Sequence, residues 1–200
     1  MSQQEHGFAN PSPQALTALS IACFIFFGLL TGRIGADSHL AVAIWLLGGF
    51  VAQFTAGVIE LKEGNITGGN VMLLFGAFFM FVTGLLNAAE FICHANDIHW
   101  SATCDPYAWL CLSIILTVIT PAYLVGSPVF LAALIFADIA LWFLTLMKFK
   151  AVNPSFAAPI AAYCLLILGV LGLYLAAATV LNTVFKKAIL PTGKAIVVVD

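Results

Sequence analysis

Six apolar runs of about twenty residues follow one another along this chain, with only short polar breaks between them. A run of that length, rising about 1.5 Å per residue as a helix, matches the hydrocarbon core of a bilayer. Lipid offers no partner to backbone N–H and C=O groups, so each run must satisfy them internally, and a helix does so. The runs fall at about 14–32, 40–61, 70–90, 108–125, 128–147 and 157–185. They leave a short N-terminal segment, 1–13, and a C-terminal tail, 186–200. The expectation is therefore an all-α membrane protein, residues 1–200 forming one domain of six transmembrane helices.

Composition narrows the function. The chain is 62% hydrophobic and 8% charged, against about a quarter charged in a soluble domain, which leaves no room for a large soluble catalytic unit. The net charge of -2 comes without any basic run, so nucleic acid is excluded as a partner. The opening MSQQEHGFANPSP lacks the basic segment and small-residue cleavage site of a secretory signal, so the first span is expected to stay in the mature protein. GxSxG, HExxH and GxxxxGK[ST] are all missing, which argues against an enzyme, against a cofactor and against an ATP-driven pump.

The breaks carry turn chemistry. Asn10 is placed to cap a helix opening near Pro11 or Pro13, since proline suits a first turn. Lys62, Glu63, Gly64, Asn65, Gly68 and Gly69 read as a loop, and Pro121 as a kink in the fourth span. The last span, at nearly 30 residues, exceeds what a bilayer requires and should tilt or protrude. The IVVV run of the tail is able to pair as an edge strand. Six spans put both termini on one face, with Lys62, Lys186, Lys187 and Lys194, against Arg33, Lys148 and Lys150 on the other. That bias favours cytoplasmic termini in a cell inner (plasma) membrane, and puts the lysine-free loop 91–107 outside.

Polar groups within spans are functional candidates by default, because lipid penalises them unless they are paired or face water. Asp138, mid-span in LAALIFADIALWFL, is the clearest. It reads either as a proton-coupling or gating carboxylate in a pore, or as a protonated acid bonded to a neighbouring helix. Gln53 shares a helical face with Gly57 and Glu60, and Asn70, Asn87 and Asn182 add amides to other spans. These line a permeation path or bind helices together. Phe75, Phe78 and Phe79 recur at i, i+3 and i+4, a spacing that can build one wall of a hydrophobic constriction or simply pack. Cys93, His94, His99 and Cys104 form C-H-x4-H-x4-C, a poor spacing for a metal, so no metal is expected. A Cys93–Cys104 disulfide and free thiols both remain open.

Several segments together resemble one family. Asn10-Pro11-Ser12-Pro13-Gln14-Ala15-Leu16 is similar to the N-P-x-P-x-x-L signature of the acetate uptake transporter family, the succinate/acetate permeases of bacteria and their fungal acetate and ammonium relatives. The stretch from Ala52-Gln53 through Gly57 and Glu60 to Gly64-Asn65-Ile66-Thr67-Gly68 resembles its A-Q-x-x-A-G-x-x-E...G-N-T-F-G. Tyr174-Leu175-Ala176, Leu181-Asn182 and Leu190-Pro191-x-Gly193 resemble its Y-x-A...L-N...L-P-x-G ending.

The resemblance implies a homohexamer in the bilayer, each six-helix protomer carrying its own pore for small monocarboxylates such as acetate, and for succinate, with a proton. It also implies a hydrophobic ring from spans one, three and five. Leu19 stands where the family has a Phe, Phe75 where it has an aromatic, and the third member falls at Ala137 or Asp138. Helix N-termini at Asn10 and Asn70 would offer backbone N–H groups to a carboxylate. The alternatives are passage of ammonium, ammonia or urea, and a membrane sensor or scaffold that transports nothing.

Overall fold

The computed structural model describes residues 7–198. Six helices are long and apolar enough to cross a membrane: α1 (Ser12–Leu30), α2 (Ala36–Lys62), α3 (Ile66–Ala95), α4 (Asp105–Val125), α5 (Pro128–Lys148) and α6 (Pro154–Phe185). The protein is thus all-α in its described part, with six spans where six apolar runs were expected.

Helix starts follow the capping residues. Ser127 and Asn153 accept from the N–H of Phe130 and Ser155, and Pro128 and Pro154 take the first positions of α5 and α6. Pro11, not Asn10, occupies the cap position of α1, and Asn10 acts one residue earlier, its Oδ1 accepting from the Ser12 N–H at 2.9 Å.

Two departures from the expected boundaries have local causes. Span three was expected to open at Asn70, but Asn65 caps α3 through a 3.0 Å bond from the Gly68 N–H, so the helix starts four residues earlier. Its far end runs to Ala95 rather than stopping near Glu90, because the middle of α3, Phe75–Val82, is π-helical and winds more residues into each turn. In α4 the Pro121 kink takes the form of a 3-10 stretch, Thr120–Val125.

The helices form a ring in chain order. α2 packs on α3 and α1, α6 on α1 and α5, and α5 on α4. Phe79 of α3 meets Trp109 of α4 edge to face at 5.9 Å and completes the circuit. Small residues let the helices approach. Ala15, Ala18 and Ala22 of α1 and Ala157, Ala161 and Ala162 of α6 are buried. Between α2 and α3 the fit is backbone to backbone: a Cβ on Gly57 would lie 2.9 Å from the Leu73 nitrogen, and one on Gly69 2.9 Å from the Leu61 nitrogen.

The tail forms no strand within the described residues, which include Ile196, Val197 and Val198 of the IVVV run. The Ile196 and Val197 N–H groups instead donate to the Leu124 carbonyl, each at 3.0 Å. Asn182 receives the N–H groups of Ile189 and Leu190 and donates to the Leu190 carbonyl, while Ser127 donates to that of Thr192. The Leu-Pro-x-Gly segment is thereby strapped across the α4–α5 turn.

Candidate functional site

Inside the ring lie two small cavities in series. The first, about 40 Å³, is at the end of the bundle carrying the start of α1 and the end of α6, and is reached by Ala15, Gly68, Tyr123, Phe130 and Gly172. The second, about 50 Å³, lies deeper, against Cys23, Phe75, Phe79, Ala137 and Leu141. Leu19, Gln53, Val71, Leu134 and Leu168 line both, so they form the neck between them. One water needs roughly 10–15 Å³ on this measure, so each cavity has room for a few waters or a solute of a few heavy atoms.

The three ring positions implied by resemblance meet here. Leu19 of α1, Phe75 of α3 and Ala137 of α5 line the same cavity. Between the two candidates on α5, the neighbour of that cavity is Ala137. Asp138 is not among the residues lining either cavity; it points into the α4–α5 seam, where it accepts from the Thr120 hydroxyl at 2.7 Å and the Thr117 hydroxyl at 3.1 Å. Trp142 completes that cluster by donating its indole N–H to Thr117 at 2.9 Å.

The aromatic triplet divides. Phe75 and Phe79 are buried, while Phe78 is exposed on the outer face and lines a shallow lateral hollow. A π-helical turn holds more than four residues, so it keeps i and i+4 aligned and swings i+3 away; the helical spacing read from sequence therefore misplaces Phe78. Beyond Phe79 an aromatic stack continues, with Phe26 at 5.3 Å and Trp109 at 5.9 Å. Trp109 is held in turn by its N–H to Asp105 at 3.1 Å, and by Lys148, which pairs with Asp105 and lies 5.1 Å over the indole ring.

The polar candidates split by role. Gln53 is buried, lines both cavities, and its Oε1 has no hydrogen-bond partner. Glu60, also buried, accepts from the Ser12 hydroxyl and the Asn65 amide, tying the start of α1 to the α2–α3 turn. Asn70 and Asn87 donate to carbonyls one turn back in their own helix, Ile66 and Thr83, at 2.7 and 2.8 Å. Asn70 lies within α3 and marks no helix N-terminus.

One polar residue of the lining was not anticipated from the sequence. Tyr123 is buried at the first cavity with its hydroxyl unpartnered, like Gln53 Oε1. The only sequence signal for it is Pro121, which breaks α4 just before and turns the 3-10 stretch inward.

All five cysteines are free, Cys93 and Cys104 among them, so the disulfide alternative is not realised. Among the described residues no group of three or more His, Cys, Asp and Glu is placed to hold a metal ion.

Comparison with known proteins agrees with the fold. A structure of the bacterial acetate channel SatP superposes with a TM-score of 0.80 at 21% identity, covering 93% of this chain and 99% of that one. No curated protein matches. The family model for the GPR1/FUN34/yaaH family matches residues 1–192. Over nearly its whole length, then, the chain belongs to the GPR1/FUN34/yaaH family.

Proposed function

We propose that each protomer conducts acetate and related small monocarboxylates along the axial path through the two cavities, with transport linked to a proton. The observation that carries this is the convergence of Leu19, Phe75 and Ala137, from α1, α3 and α5, on the apolar lining of the deeper cavity, with Leu19 also in the neck. A neck of that kind admits a small solute with an apolar end and excludes hydrated ions, because a bare charge in such surroundings is expensive. The likeness to a protein described as an acetate channel supports the same substrate class.

The proton enters by the same logic. A carboxylate that loses its charge crosses an apolar neck more cheaply, so flux is expected to carry a proton with the acid. Succinate, with a second carboxyl group, is the wider end of the proposed substrate range. We place both termini in the cytoplasm of the inner (plasma) membrane, on the lysine bias of that face.

A homohexamer fits an outward groove of about 690 Å³ between α1 and α2, where Ile44 and Trp45 are exposed and Gly48 leaves open space. Small and apolar groups on an outer face permit close helix contact with a neighbouring copy.

The test is uptake of radiolabelled acetate by proteoliposomes holding the purified protein, read above the leak of protein-free vesicles. Saturable uptake that excess unlabelled acetate competes away supports the reading. Vesicles that pass ammonium or urea but show no acetate uptake above leak would overturn it.

A further inference from the structure

Two side chains that line the first cavity carry buried polar atoms with no partner in hydrogen-bond geometry, Gln53 Oε1 and the Tyr123 hydroxyl, the latter with the Thr67 hydroxyl nearby. Both side chains line it, Gln53 with 3% of its surface exposed and Tyr123 with 8%. An unpaired buried polar group is destabilising, so two of them on side chains that line one cavity point to an occupant that pairs with both.

Their chemistry defines that occupant. The amide oxygen accepts and the phenol donates. Turning the amide over exchanges its oxygen and nitrogen and still leaves one acceptor and one donor at that position. The occupant therefore needs a donor and an acceptor on a small group.

Charge narrows it further. No Lys, Arg or His lines either cavity, so nothing there balances an anion. The linings from α1, α3, α5 and α6 add only the Cys23 thiol as a titratable group. The charged neighbour of Tyr123 is Glu60 on α2, whose carboxylate opposes a second negative charge, and Thr67 on α3 is close by as a neutral hydroxyl.

We propose that Gln53 and Tyr123 form a subsite for an uncharged planar group bearing one hydrogen-bond donor and one acceptor: the protonated carboxylic acid of a small substrate, or the carboxamide of the same shape. The inference deepens the transport reading and rests on it for the acid. The acid O–H donates to Gln53 Oε1 and its carbonyl accepts from the Tyr123 hydroxyl, while the remaining carbons face Leu16, Leu19 and Leu134. The substrate is thus neutral before it meets the apolar lining at Leu19, Phe75 and Ala137.

The test is calorimetric binding to the purified full-length protein in detergent, where leak through lipid plays no part, with acetate and acetamide as probes across about pH 6 to about pH 8. Acetamide does not titrate, so the ratio of the two apparent affinities cancels any titration of the protein itself. The ratio of acetate to acetamide affinity is expected to rise about tenfold for each pH unit lowered. Tyr123→Phe, which keeps the ring, and Gln53→Leu are each expected to weaken both ligands about tenfold.

A ratio that stays flat with pH, absence of acetamide binding, or both variants binding as tightly as the parent would overturn the proposal. Acetamide binding without acetate binding at any pH would keep the subsite, assign it to carboxamides, and overturn the acetate reading above.

Discussion

Two polar side chains within the membrane spans, Gln53 buried and Asp138 half-buried, are treated in opposite ways. Asp138, at the α4–α5 seam, has both carboxylate oxygens bonded to threonine hydroxyls and lines no cavity. Gln53, on α2, borders both cavities with its amide oxygen unpaired. An ionisable group in the membrane draws attention in a sequence, yet here it is the one that has partners. Polarity that serves a passing solute must be left open, whereas polarity that holds helices together is closed by partners. On the proposed reading, the contrast puts Gln53 on the path and Asp138 at the seam.

The largest effect should come from filling the path beside that seam. Ala137→Phe places a ring in the deeper cavity, and saturable acetate flux is expected to fall by about tenfold or more with the protein still folded. Unchanged flux would move the path elsewhere.

Next in size is the loss of the clamp at the mouth. Glu60→Ala leaves the Ser12 hydroxyl and the Asn65 amide without their buried acceptor. The stability of the purified protein is expected to fall by about 1–3 kcal/mol, read as a lower Tm. An unaltered Tm would show that these two bonds do not hold the scaffold.

Asp138→Asn keeps an acceptor for one threonine hydroxyl and turns the other contact into one in which the amide N–H donates to the hydroxyl, and should hold acetate flux within about twofold of the parent, at a stability change of about 1 kcal/mol. Loss of flux or of its pH dependence would reverse the contrast and bring the carboxylate into transport. Smallest of all is Asn70→Ala. This exposed side chain bonds only the Ile66 carbonyl of its own helix, so flux and Tm should both stay put, the latter within about 0.5 kcal/mol of stability. A clear loss of flux would mark it as part of the mouth.

The spans were legible because lipid enforces a simple rule on length and polarity, and the six runs obey it. Register inside the spans was not. The π-helical stretch in α3 alters which residues share a face, and nothing in FGAFFMFV announces it, so Phe78 was grouped with Phe75 and Phe79.

Resemblance placed Leu19 and Phe75 in one ring but left Ala137 and Asp138 both open, and the packed helices put Ala137, not Asp138, on the cavity that Leu19 and Phe75 line. Tyr123 was invisible for a different reason. It faces inward only because Pro121 breaks the helix before it, and periodicity cannot be carried through such a break. Gln53 stood out in sequence as a polar residue in a span, though its lack of a partner is a property of the packed bundle alone.

The most direct test compares adjacent residues. Acetate uptake at about pH 7 is measured above protein-free vesicles for the parent, Ala137→Phe and Asp138→Asn proteins, reconstituted side by side at equal amounts. The account predicts that Ala137→Phe falls to the leak while Asp138→Asn stays within about twofold of the parent. Flux that survives Ala137→Phe and is lost in Asp138→Asn would contradict it.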